Sequence, residues 1–287
     1  MDEFNFRAHT KEGFDAVLIN LGFEIRFDLP QPAPLLTMLF LHPSRLASVR
    51  SAEQWHENTS FGVREYLDMY GNRCGRLYAN AGILTLSSNA VVEDDGLPDL
   101  HEQNALQIPV QDLPNDVLVY LLASRYCEVD SELKDIAWSL FGTTAPGWPR
   151  VQAICDYVHR SIRFDYNQAR ANRTALEVYR ERVGVCRDFM HLAITFCRNC
   201  NIPARYCTGY LGDIGVPLSD SPMDFSAWFE VFLNGRWYTF DARNNIPRIG
   251  RVLVARGRDA ADVALTTIFG ENRLTSFRVW TYEVQSI

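Results

Sequence analysis

Three side chains in the second half of the chain have the types needed for nucleophilic chemistry. Cys186 follows a glycine and a valine, Ser226 opens an alternating apolar run, and Asp241 ends the next such run. A thiol nucleophile needs a base that ionises it and a carboxylate that orients the base. The usual base is histidine, because imidazole accepts and returns a proton near neutral pH. No histidine follows His191, so the thiol and the carboxylate have no evident base.

Local signals place these residues at the ends of secondary-structure elements. We predict that Cys186 begins a helix, where unpaired N–H groups and the helix dipole would favour the thiolate and lower its pKa. The same amides would stabilise an oxyanion. Residues 227–232 and 237–240 read as two strands joined through Asn234-Gly235, a strong hairpin signal. Ser226 and Asp241 then lie at the open ends of the hairpin and are expected to be neighbours, in a catalytic site or in a simple turn-capping hydrogen bond.

Six stretches of the chain resemble one enzyme family. The stretches are residues 174–178, 184–189, 202–206, 209–210, 227–231 and 235–241. In this order, over about residues 150–260, they resemble the bacterial transglutaminase-like superfamily, a branch of the papain-like cysteine enzymes. Residues 15–100 show a weaker resemblance to the β-rich N-terminal domain of a subgroup of that family. The resemblance implies an α+β fold, in which a papain-like core of helices on an antiparallel sheet follows a β-sandwich-like domain.

The resemblance also implies roles for the three residues. In that family a cysteine attacks a carboxamide or peptide carbonyl to form a thioester, and an amine or water then takes the acyl group. Cys186 matches the nucleophile, Asp241 matches the orienting acid, and Ser226 stands where the basic histidine is expected. A serine hydroxyl does not act as a base at neutral pH, and losing general-base help costs about 10²–10⁴-fold in rate.

Two histidines are weighed as substitute bases. His191 is five residues after Cys186 and therefore lies about 140° round the predicted helix from it. A packed or supporting position fits His191 better than the role of base. His159 ends an earlier predicted helix and would reach the thiol only by an unusual path.

Four further residues near the motifs are candidates for supporting roles. Tyr166 would donate to an oxyanion or pack as an aromatic. Asp188 and its neighbour Arg187 would tune the thiol or form a salt-bridged loop. Trp228, in the same run as Ser226, is a further supporting candidate.

Two functions remain open on these residues. The first is acyl transfer or amide hydrolysis at Cys186, weakened, altered or lost through the serine at position 226. The alternative is a non-catalytic module that binds a peptide or protein on the same fold. The expected ligand is a peptide, a protein or a small amide, and the motifs predict no cofactor and no metal site.

The distribution of charge predicts a domain boundary and argues against one class of partner. Residues 1–110 carry 8 basic and 15 acidic side chains, whereas residues 111–287 carry 20 of each. This change predicts a β-rich N-terminal domain over 1–105 and a transglutaminase-like domain over 106–287. The acidic balance argues against nucleic acid as a partner, because phosphate binding calls for a basic surface.

Location and cysteine use follow from the same sequence. The first six residues show no signal-peptide pattern, and no apolar run approaches the length of about 20 residues that spans a membrane. We therefore predict a cytoplasmic protein that does not bind membranes. The pair Cys197 and Cys200, with Cys207 nearby, lacks the four ligands of a structural zinc site and reads as small apolar residues.

Overall fold

The computed structural model describes residues 16–219 and 222–285, so residues 1–6, on which the expectation of no signal peptide rests, lie outside the described part. The α-helices are α1 (Leu133–Phe141), α2 (Trp148–Ser161), α3 (Ala175–Glu181) and α4 (Cys186–Asn199). Short 3₁₀ helices cover Pro43–Ser48, Val110–Asp112, Leu118–Leu121 and Tyr166–Gln168. None of the helices in this described part is long and apolar enough to cross a membrane.

The β-strands are numbered in chain order. They are β1 (Val17–Leu29), β2 (Ala33–Thr37), β3 (Val49–Ser51), β4 (His56–Glu57), β5 (Arg64–Leu67), β6 (Arg73–Ala79), β7 (Gly82–Asp94), β8 (Arg163–Phe164), β9 (Val183–Gly184), β10 (Ala204–Tyr210), β11 (Ser226–Leu233), β12 (Arg236–Phe240), β13 (Val252–Gly257), β14 (Thr266–Ile268) and β15 (Arg273–Val284).

Two sheets form the strand-rich region that the sequence predicts at the N-terminus. One has the order β15-β1-β7-β3, with β4 also paired to β7, and the other has the order β14-β2-β6-β5. Alternation in β1 turns Phe23, Ile25 and Phe27 inward, and they share one apolar core with Leu77 of β6. Period-two alternation of this kind fixes which face of a strand is buried.

The last two strands return to these N-terminal sheets. β15 pairs antiparallel with β1 from Leu18↔Val284 to Asp28↔Arg273, and β14 pairs with β2. Both sheets therefore contain chain from either side of the predicted boundary at residue 105. The division into 1–105 and 106–287 stays a prediction.

The core that carries the chemical residues is a second, α+β layer. Its sheet has the order β12-β11-β10-β13, and α4 packs against β10 and β11 with the other helices around it. Every residue of β10 is buried, as a central strand requires. Asn234 and Gly235 have φ values of 47° and 82°, so the predicted hairpin turn is confirmed. The predicted fold class is confirmed as well: helices pack on an antiparallel sheet beside a strand-rich N-terminal region.

Candidate functional site

Cys186 is the first residue of α4, as predicted, and a buried carboxylate fixes the turn before it. Asp188 is fully buried, accepts a hydrogen bond from the Val185 N–H at 3.0 Å and forms an ion pair with Arg173 at 2.9 Å. Position 184 must be glycine, because a Cβ there would lie 2.6 Å from the Asp188 Cβ. Asp188, in the first turn of α4, therefore ties the turn before the thiol to Arg173 by a salt bridge.

Two cavities meet at Cys186. The polar cavity, of about 310 Å³, is bounded on its polar side by Asp213, Ser226, Arg243, Asn244 and Arg248. The apolar groove, of about 660 Å³, is bounded on its far side by Ile25, Phe27, Val263, Leu265, Leu274 and Phe277. Tyr166, Cys186, Asp224 and Phe225 line both. Among the described residues, no histidine lines either cavity.

The electrostatic setting of Cys186 disfavours its thiolate. Burial raises the pKa of the half-buried thiol to about 11, and the carboxylates of Asp224 and Asp241 act in the same direction. The Arg243 guanidinium and the Arg187 backbone N–H oppose this rise without cancelling it. The expectation of a lowered pKa was therefore wrong. The predicted helix N-terminus is present, but desolvation dominates there.

Asp241 is buried, and four donors occupy its carboxylate. Oδ1 accepts from the backbone N–H groups of Arg243 at 3.0 Å and Asn244 at 2.9 Å. Oδ2 accepts from Asn244 Nδ2 at 2.8 Å and from Arg251 Nη2 at 3.0 Å. A carboxylate offers about four lone-pair sites, so this one is full. Burial acts to raise the pKa of Asp241, but Arg251 and Asn244 hold it below its usual value.

Ser226 and Asp241 do not form the expected pair. Ser226 lies opposite Gly209 of β10 and lines the polar cavity, whereas Asp241 lines neither cavity at Cys186. The ladder between β11 and β12 ends at Phe229↔Phe240, before it reaches either residue. Among the described residues, no hydrogen bond joins the two side chains.

Arg243 and Asn244 are two site residues that sequence reasoning missed. Asn244 lines the same polar cavity as Cys186, and its amide donates to Asp241. The Arg243 guanidinium stacks on the Phe164 ring, with Cζ 4.0 Å from the centroid, and lines the same cavity. Both lie within three residues of Asp241 in the sequence, and this proximity to the matched acid could have identified them as candidates.

Of the remaining candidates, Tyr166 lies at the thiol, whereas Trp228 and His191 do not line its cavities. Tyr166 is 42% exposed and lines both cavities, so it is brought to the thiol. Trp228 is buried and lines neither cavity; Arg251 Cζ lies 5.3 Å from its ring. Burial lowers the pKa of His191 well below its ordinary value, and this ring stacks on Tyr126 and accepts from the Ala260 N–H.

The two histidines are therefore not placed as bases. His191 has the packed core position that the helix geometry predicts. His159 donates from Nδ1 to the Arg243 carbonyl oxygen at 2.8 Å and lines neither cavity. Its contact holds the loop that carries Arg243.

The cysteine pair at the end of α4 has the apolar setting that was predicted. Cys197 and Cys200 are fully buried in the main core, and Cys207 packs with Trp228 and Leu253. Over residues 16–219 and 222–285, no group of three or more His, Cys, Asp or Glu side chains could hold a metal ion.

Comparison with known proteins places this site in a family context. The sequence profile of the transglutaminase-like superfamily matches residues 135–242, a range that contains Cys186, Ser226 and Asp241. A solved structure described as a "putative cysteine protease" from Cytophaga hutchinsonii superposes with a TM-score of 0.80 at 29% identity. It covers 96% of this chain and 93% of its own.

Two curated relatives match over shorter spans. An uncharacterised protein of Mycobacterium leprae is 24% identical over 193 residues, which are 63% of this chain and 66% of that protein. An uncharacterised protein of Mycobacterium bovis is 34% identical over 131 residues, 41% of each chain. The chain thus matches about two thirds or less of the length of these bacterial relatives. The profile match, the superposition and the order of the motifs agree that residues 135–242 form a transglutaminase-like domain.

Proposed function

We propose that this protein binds a peptide or amide ligand in the cleft at Cys186 and does not carry out base-assisted acyl transfer at neutral pH. One observation carries the proposal: no histidine among the described residues lines either cavity at the thiol. Thiol nucleophiles are activated by an adjacent base or by a lowered pKa. Cys186 has neither, because its pKa is raised to about 11.

The state of Asp241 supports the same conclusion. In a cysteine–histidine–aspartate site the carboxylate accepts a hydrogen bond from the imidazole. All four acceptor positions of Asp241 are taken by Arg243, Asn244 and Arg251. The acid therefore stabilises the loop that follows β12, and Ser226 is not the only departure from a working triad.

The cleft itself keeps the properties of a binding site. Two cavities of about 310 and 660 Å³ open on the thiol, within the range of roughly 300–1,000 Å³ typical of ligand pockets. Tyr166 is 42% exposed and lines both. The family resemblance makes a peptide or carboxamide the class of ligand to test first.

A second candidate function is slow acyl transfer at alkaline pH. The observation that favours it is Arg243, whose guanidinium lowers the pKa of the Cys186 thiol against the effect of burial. A thiolate formed near pH 10 would attack an amide without a base. Its rate would rise with pH and would vanish in Cys186→Ala.

Binding and turnover of one peptide separate the two functions. The probe is an acetylated, amidated Phe-Gln-Glu peptide, followed by calorimetry for binding and by mass spectrometry for deamidated or cleaved product. We expect wild type and Cys186→Ala to bind equally and to form no product at pH 7.5. Product formed at pH 7.5 by wild type and not by Cys186→Ala would overturn the proposal.

The location of binding needs its own control. Cys186→Trp fills the point where the two cavities meet, and Ser226→Trp fills the polar cavity from its wall, so both should abolish binding. Arg236→Trp, on β12 outside both cavities, is the matched control and should bind normally. Retained binding in both cavity variants would place the ligand elsewhere.

The cytoplasm remains the proposed compartment. All seven cysteines are free thiols, which fits a reducing environment. Absence of nucleic-acid and membrane partners remains part of the same proposal, supported by the acidic charge of the chain.

A further inference from the structure

We infer that the ligand is a peptide that crosses Cys186 with an apolar side chain in the apolar groove and a carboxylate in the polar cavity. This inference rests on the proposed function and names the chemistry of its ligand. Two independent sets of residues, one on each side of the thiol, carry it.

The first set is a pair of arginines on the wall of the polar cavity. Arg243 is held against the Phe164 ring and forms no ion pair within 4 Å among the described residues. An arginine stacked on an aromatic face keeps its N–H edge free for a planar anion. Carboxylates are the natural partner, because a guanidinium donates two parallel hydrogen bonds to them.

Arg248 adds a second, under-compensated charge. Its side chain is 7% exposed, and Nη2 donates to the Gly212 carbonyl at 2.8 Å and to Asp213 only at 3.5 Å. Its buried Nε has no hydrogen-bond partner in the described part of the chain. A buried charge with incomplete partners favours an incoming group of opposite sign.

Two carboxylates limit how strongly the cavity attracts an anion. Asp213 is the weak partner of Arg248, and Asp224 interacts with Arg243 beyond ion-pair distance. Among the described lining residues the two arginines and the two aspartates sum to zero charge, so the cavity would take one carboxylate placed on Arg243 and would not accumulate anions. Asp224 is exposed and competes for the same guanidinium.

The second set is the apolar wall that the N-terminal sheets supply. Ile25 and Phe27 of β1 and Leu274 and Phe277 of β15 line the groove that reaches Cys186. Leu274 is 52% exposed and Phe277 is 38% exposed. Covering such side chains contributes roughly 25 cal/mol per Å² of apolar area removed from water.

The two cavities join at the thiol, which fixes how one ligand occupies both. They share Tyr166, Cys186, Asp224 and Phe225, so a chain that leaves the groove enters the polar cavity beside Cys186. Residues two apart in an extended peptide point to the same side of the backbone and are about 7 Å apart. An apolar residue and an acidic residue on either side of a central glutamine therefore face the same side, and one reaches the apolar groove while the other reaches the polar cavity.

A matched set of fluorescent peptides tests this inference by anisotropy at pH 7.5. Each peptide has a central glutamine flanked by phenylalanine or serine on one side and by glutamate or glutamine on the other, in both chain directions. For one direction we expect the phenylalanine–glutamate peptide to bind about tenfold more tightly than either singly changed peptide. A tenfold preference corresponds to about 1.4 kcal/mol, the size of a charge-assisted hydrogen bond.

Protein variants assign each preference to its wall. Arg243→Gln should erase the preference for glutamate and keep that for phenylalanine, while Arg243→Lys should retain part of it. Phe277→Ser should erase the preference for phenylalanine and keep that for glutamate. Arg236→Gln, an arginine stacked on Tyr238 outside the cavities, and Tyr282→Ser, exposed on β15, are matched controls and should change neither.

The outcomes separate this inference from the function on which it rests. Wild type that binds all the peptides without preference would overturn the inference and leave the proposed function standing. Equal weakening of every peptide by Arg243→Gln would also overturn it, because the arginine would then be structural. If no peptide binds at all, the proposed function itself fails.

Discussion

The thiol of Cys186 should react more slowly than an ordinary cysteine at neutral pH. With its pKa raised to about 11, about 0.03% of the thiol is ionised at pH 7.5, against about 9% for a free cysteine of pKa about 8.5. This is a deficit of about 300-fold in thiolate. A more basic thiolate is intrinsically more nucleophilic, and a Brønsted slope of about 0.45 returns a factor of about 13. The net expectation is a rate about 20-fold below that of free cysteine.

Alkylation by iodoacetamide measures this rate directly. The modified fraction of the peptide that contains Cys186 is followed by mass spectrometry between pH 7 and 9.5, beside N-acetylcysteine amide as the reference. Because the pKa lies above this window, the logarithm of the rate should rise by about one for each pH unit. The six other cysteines are buried, and Cys186→Ala identifies the signal.

Two results would refute the reasoning. The first is alkylation at pH 7.5 as fast as that of the reference thiol. The second is a rate that stops rising below pH 8.5, which would mean that the helix N-terminus and Arg243 outweigh desolvation. Either result would revive an activated nucleophile at position 186.

Three further predictions concern the residues around the thiol. Ser226→His alone should give no amide hydrolysis at pH 7.5, because the Asp241 oxygens are already occupied by hydrogen-bond donors. The double variant Ser226→His with Asn244→Ala frees one of these acceptor positions. It should therefore give turnover that is measurable as ammonia release. Asp224→Asn removes a charge that raises the pKa of the thiol, so alkylation should quicken severalfold and glutamate-containing peptides should bind more tightly. Asp241→Asn should lower the urea unfolding free energy by about 2 kcal/mol, because the buried Arg251 loses one of its two carboxylate partners and keeps Asp99. The pKa of Asp241 is lowered in the fold, so this stabilisation is full above the ordinary aspartate value of about 3.9 and should fade as the pH falls below it.

Local patterns in the sequence were enough to predict the elements that position the site. The Asn234-Gly235 turn, the alternation of Ala227, Phe229 and Val231, and the glycine before Cys186 each have a short-range physical cause. Such causes act within a few residues and can be read without the fold. The helix that begins at Cys186 and the β11–β12 hairpin follow from them.

Features that depend on distant parts of the chain were not predictable. The return of β15 to pair with β1 joins segments about 250 residues apart, and no local pattern specifies it. The ion pairs of Arg251 with Asp99 and Asp241 likewise bring the segment that follows β7 to the acid. The pKa of Cys186 depends on how much chain covers the thiol, and the first turn of a helix says nothing about that.

The serine at position 226 and the occupied carboxylate of Asp241 are physically consistent with each other. A histidine in a triad donates one N–H to the acid, and a donor that is buried without an acceptor costs about 1–3 kcal/mol. With Arg243, Asn244 and Arg251 filling every acceptor position of Asp241, an imidazole would have no such acceptor there. A serine hydroxyl avoids that cost, because it is small and rotates toward any available partner. The polar side chains of the cavity therefore suit a binding surface. Base catalysis would require a histidine at position 226 and also the removal of a hydrogen-bond donor from Asp241.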